Sequence, residues 1–351
     1  MGSARHASRF GLWGVILGCL LISACSRIPP LADLNPALWD EYKQVFVSPD
    51  GRVIDTGNHG VSHSEGQGYG MVLAVAANDR ATFDLLWSWT RDHLKREHDA
   101  LFSYRWDGTQ TPAIQDKNNA SDGELLIAWA LARAYERWQA EAYREGALQL
   151  AQAIRSQLLR PSSIGTILLP GIEGFEHPNH VLLNPSYWIF PAFRALDRID
   201  PSPEWKQLEK SGLKLLKQAR FGQAKLTPDW VRLRNNGQFE LDSTLSSRFS
   251  YDALRIPLYS CWGNVENQNL LSSIADQWRN VDNPAWVDLK TGETAPYALS
   301  PSQLSMRRFL LACLEHSASP AEPSAQLIIK GDYYASTLAL LGEIALQERR
   351  H

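Results

Sequence analysis

The sequence reads Leu125-Leu126-Ile127-Ala128-Trp129-Ala130-Leu131 soon after a polar segment, Asn118-Asn119-Ala120-Ser121-Asp122. A helix formed by the apolar run would carry nonpolar side chains on every face, so the run predicts a helix enclosed by other elements. Similar segments rich in alanine, leucine and aromatic residues start near residues 66, 186 and 252. We therefore expect a set of buried helices at the centre of the molecule.

The helical pattern extends over nearly the whole chain beyond residue 35, with apolar residues three and four positions apart. Pro, Gly, Asn and Asp mark the breaks between segments. Segments 81–96, 141–158 and 203–219 carry charge on one face, as outer helices do, so buried and amphipathic helices alternate. This alternation predicts an all-α fold in which helical hairpins stack and close into a ring. The predicted helices are 36–46, 66–78, 81–96, 122–138, 141–158, 186–197, 203–219, 252–262, 267–280, 301–316 and 333–348.

Four long loops, 47–64, 97–120, 160–184 and 220–250, each lead into one of the buried helices. Loops of this length in a compact domain usually carry function. They hold short strand-like pieces at 164–169 and 237–241. Because each loop precedes an inner helix, we expect all four at the same end of the ring, and the active site with them.

Composition limits the classes of function. The 351 residues carry a formal net charge of -3 without a basic tail, which argues against a nucleic-acid partner. The length could hold two domains, but a single large helical barrel fits equally well. The 13 Trp, 11 Tyr and 11 Phe suit either a rich core or a cleft where aromatic faces stack on sugar rings.

The N-terminal segment is predicted to be an export signal. Arg5 and Arg9 precede an apolar stretch, 10–24, that is too short for a comfortable membrane span. The sequence Leu21-Ile22-Ser23-Ala24-Cys25 resembles a bacterial lipoprotein processing site, with ordinary signal-peptidase cleavage as the alternative. We expect a signal peptide at 1–24, a single catalytic domain at 25–351, and an exported, periplasmic protein that Cys25 anchors to lipid.

Two cysteines remain in the predicted folded part, Cys261 and Cys313, because Cys19 leaves with the leader. An oxidising compartment permits a bridge between them, but two buried free thiols are the safer expectation. No Cys/His cluster has the spacing of a zinc site, and a site built from His59, His63 and Glu65 lacks a clear helix to align its ligands. We therefore predict no metal and no cofactor.

Three loop-to-helix junctions carry a carboxylate. The first reads Ser62-His63-Ser64-Glu65-Gly66-Gln67-Gly68-Tyr69-Gly70-Met71, and its glycines allow close approach of backbone or substrate. Glu65 is a candidate for catalysis here, although an acid in the first turn of a helix is also favoured by the helix dipole.

The second and third junctions have simple structural explanations as well. Asp122 lies in Ser121-Asp122-Gly123-Glu124, where Ser121 and Glu124 fit a capping box. Asp252 lies in Arg248-Phe249-Ser250-Tyr251-Asp252-Ala253-Leu254-Arg255-Ile256-Pro257, where Asp252 and Arg255 could form a surface ion pair. Pro257 disfavours an ordinary helix and indicates an unusual backbone at this junction.

Taken together, the three motifs resemble glycoside hydrolase family 8, and they occur in that family's order. Within the family, the likeness is to periplasmic endo-β-1,4-glucanases that accompany bacterial cellulose synthase. The resemblance implies an (α/α)6 barrel, an inverting mechanism, β-1,4-glucan as substrate and a functional link to a cellulose synthase complex. Gly123-Glu124 departs from the Ala-Asp of many members.

The resemblance also implies roles for individual residues. Glu65 matches the general acid and Asp252 the general base, while Asp122 matches the carboxylate that holds the sugar at the cleavage site. The remaining matches are expected to orient the base or to contact substrate: Tyr251, Arg255, Tyr187, Trp188 and, with plain core packing as an equal alternative, Trp106 and Tyr333.

Acetal cleavage by inversion needs a protonated acid on one side of the sugar and a carboxylate holding water on the other, roughly 6.5–9.5 Å apart. We expect burial or Asp122 to raise the pKa of the acid, and Arg255 to keep the base ionised. The alternatives are a polysaccharide lyase that recruits His59, His63 or Tyr69, a non-catalytic glucan-binding protein, and a relative acting on chitosan, xylan or mixed-linkage glucan.

Overall fold

The computed structural model describes residues 1–2, 31–242, 244–265, 267–316 and 331–349. The predicted signal peptide and Cys25 lie outside these residues. In the described ranges no helix is both long and apolar enough to cross a membrane. The α-helices are α1 (Pro36–Phe46), α2 (Ser64–Ala76), α3 (Arg80–His93), α4 (Ser121–Trp138), α5 (Glu141–Leu158), α6 (Phe190–Ile199), α7 (Pro203–Gln218), α8 (Arg255–Trp262), α9 (Gln268–Gln277), α10 (Pro301–Leu314) and α11 (Tyr333–Glu348).

These bounds confirm the predicted helices to within a few residues, except that one predicted helix is divided into two. The segment 186–197 is not one helix, because a short 3₁₀ helix, Pro185–Tyr187, precedes α6.

The inner helices α2, α4, α6, α8, α10 and α11 contact one another in succession, and α11 contacts α2. This closes the ring. Every residue of α2 except Glu65 is buried, and α4 is buried from Ser121 to Ala134. Helices α1, α3, α5, α7 and α9 bury one face only and lie outside. The predicted (α/α)6 barrel is confirmed, and the alternation in the sequence is the alternation of inner and outer helices.

Glycines set the distance between α2 and α4. A Cβ atom on Gly68 would lie 2.5 Å from Cβ of Leu126, and one on Gly123 would lie 2.8 Å from the backbone nitrogen of Glu65. Both distances are shorter than carbon and nitrogen atoms tolerate. The glycine-rich motif around Glu65 therefore allows two helix backbones to approach each other.

Short strands fill the loops that precede inner helices. The pairs β1 (Ser62–His63) with β2 (Arg105–Trp106), β3 (Leu159–Ser162) with β4 (Gly165–Leu168), and β9 (Arg248–Phe249) with β10 (Val287–Asp288) are antiparallel. A four-stranded antiparallel sheet runs β5 (Glu176–His177), β6 (His180–Leu183), β7 (Val231–Arg234) and β8 (Phe239–Leu241). The predicted pieces at 164–169 and 237–241 correspond to β4 and β8. The sheet joins two of the long loops, which the sequence did not predict.

Cys261 and Cys313 form a disulfide, so the expectation of two free thiols is wrong. Cys261 lies in α8 and Cys313 in α10, and these neighbouring inner helices place the two Cα atoms 6.4 Å apart. The two residues are 52 positions apart in the chain. Their proximity depends on ring closure, which local sequence patterns do not encode.

The capping box expected at Ser121 and Glu124 is not formed. Helix α4 has no side-chain cap at its N-terminus. Glu124 is fully buried and accepts a hydrogen bond of 2.8 Å from the backbone N–H of Phe102. Burial raises the pKa of Glu124 well above its usual value. The side chain thus ties loop 97–120 to α4 instead of closing its own helix.

Candidate active site

The three candidate carboxylates meet at one guanidinium group. Arg255 is 3% exposed, and its Nη1 contacts Oε1 of Glu65 and lies 3.1 Å from Oδ2 of Asp122. Its Nη2 lies 2.9 Å from Oδ1 of Asp252 and donates to Oγ of Ser186. The predicted meeting of three loop-to-helix junctions at one end of the ring is confirmed. The pair of Asp252 and Arg255 is part of a buried cluster and is not an isolated surface ion pair.

Glu65 lies in the first turn of α2 with its side chain directed into the ring. The hydroxyl of Tyr69, one turn further along α2, donates to Oε1 of Glu65 at 2.9 Å. That hydroxyl is also 3.0 Å from the hydroxyl of Tyr259 on α8. Both Tyr69 and Arg255 engage Oε1, so Oε2 is the oxygen available to carry a proton toward substrate.

Asp252 lies in the turn that precedes α8, and 36% of its side chain is exposed. Asn184 donates to Oδ2 at 3.0 Å, while Arg255 occupies Oδ1. Trp230 also hydrogen-bonds to this carboxylate. The protein around the carboxylate removes much of its surrounding water, which raises the pKa of Asp252 to about 6.

Asp122 lies in the first turn of α4 and is almost completely buried. Its Oδ1 accepts a hydrogen bond of 2.8 Å from the backbone N–H of Gly123. Burial and, after it, the negative charge of Asp252 raise the pKa of Asp122 to about 7. Asp122 can therefore exchange a proton near neutral pH, which suits a group that hydrogen-bonds to a sugar hydroxyl.

The electrostatic expectation for the base is met only in part. Arg255 contacts Asp252 as expected, but the loss of water outweighs this contact, so the pKa lies above the ordinary value of 3.8. Because pH 7 is above a pKa of about 6, Asp252 is still mostly ionised there.

Aromatic side chains line the Asp252 side of the site. The ring of Tyr187 lies 5.5 Å from the Arg255 guanidinium and 6.2 Å from Trp230, so Tyr187 lies beside the three acids, and its contact with substrate stays a prediction. Trp230 stacks on Phe175 with the rings 5.8 Å apart and nearly parallel. Sequence reasoning missed Trp230 and Phe175, because an aromatic residue in a long loop carries no periodic signal.

Trp188 does not face the site, and the prediction that it contacts substrate is wrong. It is 1% exposed, and its indole N–H donates to the carbonyl of Leu208 on outer helix α7 at 3.2 Å. Its neighbour Tyr187 points toward Arg255. The turn after the 3₁₀ helix sends the two adjacent side chains to different places, and two aromatic letters in a row do not reveal which one faces the cleft.

Tyr333 and Trp106 both show packing contacts. Tyr333 is buried against Phe46, and a Cβ on Gly66 would lie 2.8 Å from its hydroxyl, so the alternative of core packing describes it. Trp106 packs edge-on against Trp89, with the Arg52 guanidinium 5.1 Å from its ring. Trp106 is partly exposed, and its contact with substrate stays a prediction.

Tyr251 lies at the rim with 41% of its surface exposed, and its hydroxyl hydrogen-bonds to Tyr297. Its backbone carbonyl accepts a hydrogen bond of 2.9 Å from the hydroxyl of Tyr334.

Within the described residues, no group of three or more His, Cys, Asp and Glu side chains is placed to hold a metal ion. His63 instead lies 3.6 Å from Asp55.

Comparison with known proteins identifies similar chains over almost the full length. The family model for glycosyl hydrolases family 8 matches residues 14–348. A probable endoglucanase of Novacetimonas hansenii is 38% identical over 333 residues, which is 94% of this chain and 96% of that protein. An endoglucanase of Cellulomonas uda is 40% identical over 303 residues, covering 84% of this chain and 82% of its own.

Solved structures are similar to the same extent. The endo-β-1,4-glucanase CMCax of Acetobacter xylinum superposes with a TM-score of 0.82 at 37% identity, over 90% of this chain and 98% of its own. The endoglucanase Cel10 of Klebsiella pneumoniae, a family 8 glycosyl hydrolase, gives a TM-score of 0.83 at 38% identity, over 90% of this chain and 100% of its own.

Proposed function

The chain belongs to glycosyl hydrolase family 8 and is an endo-1,4-β-glucanase, and from this premise we propose that Glu65 is its general acid and Asp252 its general base. The family hydrolyses with inversion at the anomeric carbon. The observation that carries the assignment is the meeting of both carboxylates on Arg255 at the end of the ring where the long loops lie.

Glu65 protonates the departing glycosidic oxygen through Oε2. Its other oxygen accepts from Tyr69 and contacts Arg255, which fixes the plane of the carboxyl group. As the bond to the leaving sugar breaks, the proton passes to the leaving oxygen and Glu65 becomes an anion. Arg255 then compensates part of the new charge, because its guanidinium already touches the oxygen that shares it.

Asp252 removes a proton from the water that attacks the opposite face of the anomeric carbon. Asn184 and Arg255 each hold one of its oxygens, so the carboxylate cannot rotate away from that water. Inversion needs roughly 6.5–9.5 Å between the two carboxyl groups. Both carboxyl groups contact the same guanidinium group, Glu65 at Nη1 and Asp252 at Nη2 of Arg255.

Asp122 and the aromatic wall hold the sugar between the two acids. Asp122 is buried below the cleft and carries a partial proton near pH 7, so it can donate to or accept from a sugar hydroxyl. Tyr187, Trp230 and Phe175 offer flat faces for stacking on glucose rings. This arrangement favours a neutral, flat β-1,4-linked chain as substrate.

The two roles are tested with Glu65→Gln and Asp252→Asn on carboxymethylcellulose. Each change removes a proton-transfer step, so kcat should fall by about 10²–10⁴-fold while the melting temperature is nearly unchanged. Glu141→Gln is the matched control, because Glu141 also lies in the first turn of a helix but is exposed on α5. NMR of the first product should show the α-anomer.

An active Glu65→Gln enzyme on unactivated glucan would remove Glu65 from the mechanism. A lyase would instead give products that absorb ultraviolet light, and a glucan-binding protein would show no turnover in the unmodified chain. Incubation with xylan and chitosan under the same conditions measures the preference for glucan.

We also propose that the protein is exported and anchored to lipid through Cys25. The support is the sequence alone: Arg5 and Arg9, the apolar segment 10–24 and the residues before Cys25. Labelled palmitate should enter the unmodified protein and should not enter Cys25→Ala. Release of Cys25→Ala as an unlabelled periplasmic protein is expected, and equal labelling of both proteins would contradict the anchor.

A functional link to cellulose synthesis is the last part of the proposal. It is supported by the resemblance of the sequence motifs to those of endoglucanases that accompany cellulose synthase and by the endoglucanases of Novacetimonas hansenii and Acetobacter xylinum among the relatives. Deletion in the host should change the yield of cellulose, and the unmodified gene but not Glu65→Gln should restore it. Unchanged cellulose after deletion would contradict the link.

A further inference from the structure

Asp229 is a buried carboxyl group that the proposed chemistry does not use. It lies in the long loop before β7, next to Trp230, and is 6% exposed. A buried carboxyl group without a partner is costly, so its hydrogen bonds indicate what it does for the fold.

The carboxyl group of Asp229 holds the backbone on both sides of Asp252. Its Oδ1 accepts hydrogen bonds of 3.0 Å from the backbone N–H of Ser250 and 3.0 Å from that of Ala253. Its Oδ2 lies 3.3 Å from the hydroxyl of Ser246. One oxygen therefore ties together the residue that follows the base and the residue two positions before it.

The backbone around the general base Asp252 is not helical, and the hydrogen bonds to Asp229 take the place of the missing helical hydrogen bonds. Residues 251–254 form a turn, and α8 begins only at Arg255. The N–H groups at such a junction need an acceptor from elsewhere in the chain. Asp229 is anchored in turn by its own N–H, which donates to the carbonyl of Arg248 at 2.7 Å.

The charge state of Asp229 suits a supporting role. Burial and then the negative charge of Asp252 raise the pKa of Asp229 to about 8, so it is mostly protonated at pH 7. A neutral Asp229 does not add a further negative charge beside Asp252 and does not draw Arg255 away from the three carboxylates.

We propose that Asp229 is a positioning residue for the general base, holding the turn 250–253 so that Asp252 keeps its place relative to Glu65 and the attacking water. The inference rests on the proposed function of Asp252. A displacement of about 1 Å at a reacting group can cost about 10²-fold in rate, so loss of this contact should act on kcat.

The experiment compares Asp229→Ala, Asp229→Asn and a matched control, Asp242→Ala, in the full chain on soluble β-glucan. Asp242 is also buried in the same long loop, and its Oδ1 also accepts two backbone N–H bonds, from Thr244 at 2.8 Å and Leu245 at 2.6 Å. The described residues of its turn include none of the residues proposed for the active site. Both alanine variants should lower the melting temperature.

Only Asp229→Ala should lower kcat, by about 10²-fold with KM within about twofold, because the substrate-binding aromatics are untouched. Asp229→Asn should recover most of kcat, since its amide oxygen still accepts both N–H bonds. Asp242→Ala should keep kcat within about threefold of the unmodified enzyme.

Three results would overturn the inference: equal kcat in Asp229→Ala and Asp242→Ala, no recovery in Asp229→Asn, or a loss that falls on KM alone. Asp229→Leu, which occupies the site with an apolar side chain and no acceptor, replaces Asp229→Ala if the latter does not fold, and failure of both to fold would assign Asp229 to stability only. Inactivity of the unmodified chain on glucan would instead contradict the proposed function.

Discussion

Arg255 compensates three carboxylates that would otherwise repel one another in a region with little water. Lysine could not replace it, because a single ammonium group lacks the planar fork that reaches Asp122 and Asp252 from different nitrogens. The same contacts make the proton affinities of the acids depend on one another. Effects of single substitutions on pH profiles therefore report on the cluster around Arg255.

The acid limb of the pH profile should lie near pH 6. Asp252 accepts a proton only when ionised, and its pKa is raised to about 6, so kcat/KM should fall as the pH drops through 6. An ordinary aspartate, with the value of 3.8, would place the fall near pH 4. The measurement is the initial rate on soluble β-glucan between pH 4 and pH 9, and a limb at pH 4 would contradict the raised pKa.

Tyr69 should influence the acid through its hydrogen bond to Oε1. Tyr69→Phe removes a donor that favours ionised Glu65, so the alkaline limb should move to higher pH and kcat should fall by about tenfold. Tyr259→Phe is the control, because that hydroxyl reaches Tyr69 and not Glu65. Identical pH profiles for all three enzymes would show that Tyr69 only packs.

Among the elements, the starts of α2 and α4 and the turn before α8 carry the three acids of the site. Helix α8 carries Pro257 in its first turn, where its missing N–H costs no helical bond. The turn before α8 carries Asp252, and Asp229 supplies the acceptor that the turn lacks. The unusual backbone that was predicted from Pro257 is the turn before α8, which carries the general base Asp252.

Gly123→Ala should damage both stability and activity. The added methyl group would lie 2.8 Å from the backbone nitrogen of Glu65 and closer still to the side chain of Ser64, so α2 or α4 must shift. We expect a loss of about 1–3 kcal/mol in the free energy of unfolding and a clear fall in kcat.

Gly146→Ala is the control for this prediction. Gly146 lies in outer helix α5, and a Cβ there would be 3.4 Å from Leu131, an ordinary contact. The change should stabilise by up to about 1 kcal/mol, because alanine favours helix more than glycine does. Denaturant unfolding and glucan hydrolysis measure both variants, and normal activity in Gly123→Ala would contradict the close approach of α2 and α4.

At the scale of the whole molecule, the ends of the described chain close the ring. At the end opposite the site, Glu348 of α11 pairs with the buried Arg133 of α4 and accepts from the backbone N–H of Ala32 at 3.0 Å. At the site end, Tyr333 of α11 packs against Gly66 of α2. The Tyr333 contact joins the first and last inner helices, and the Glu348 contacts join α11 to α4 and to the segment before α1.

The disulfide should stabilise the ring without affecting the chemistry. A bridge between positions 52 apart lowers the conformational entropy of the unfolded chain, which raises the free energy of unfolding by about 4 kcal/mol in the loop-entropy model. Reduction should therefore lower the melting temperature, while kcat at 25 °C stays the same. The double variant Cys261→Ala with Cys313→Ala should have a melting temperature close to that of the reduced enzyme, and reductant should not change it. Equal melting temperatures of the reduced and the oxidised unmodified protein would contradict the bridge.

The helices, their alternation between inner and outer, and the three acids at loop-to-helix junctions could all be predicted from the amino-acid sequence. These features depend on periodicity and on neighbours within a few positions, which a single chain displays directly. Glu65, Asp122 and Asp252 could be named as a set because each lies where a long loop meets a segment predicted to be a buried helix.

The contacts of those residues could not be predicted from the sequence and are known from the folded structure. The sharing of Arg255, the support of Asp252 by Asp229, the stacking of Trp230 on Phe175 and the bridge from Cys261 to Cys313 join residues far apart in the chain. The inward direction of Tyr187 and the outward direction of Trp188 follow from one local turn within that packing. Such contacts arise when the ring closes, and closure is a property of all the helices together.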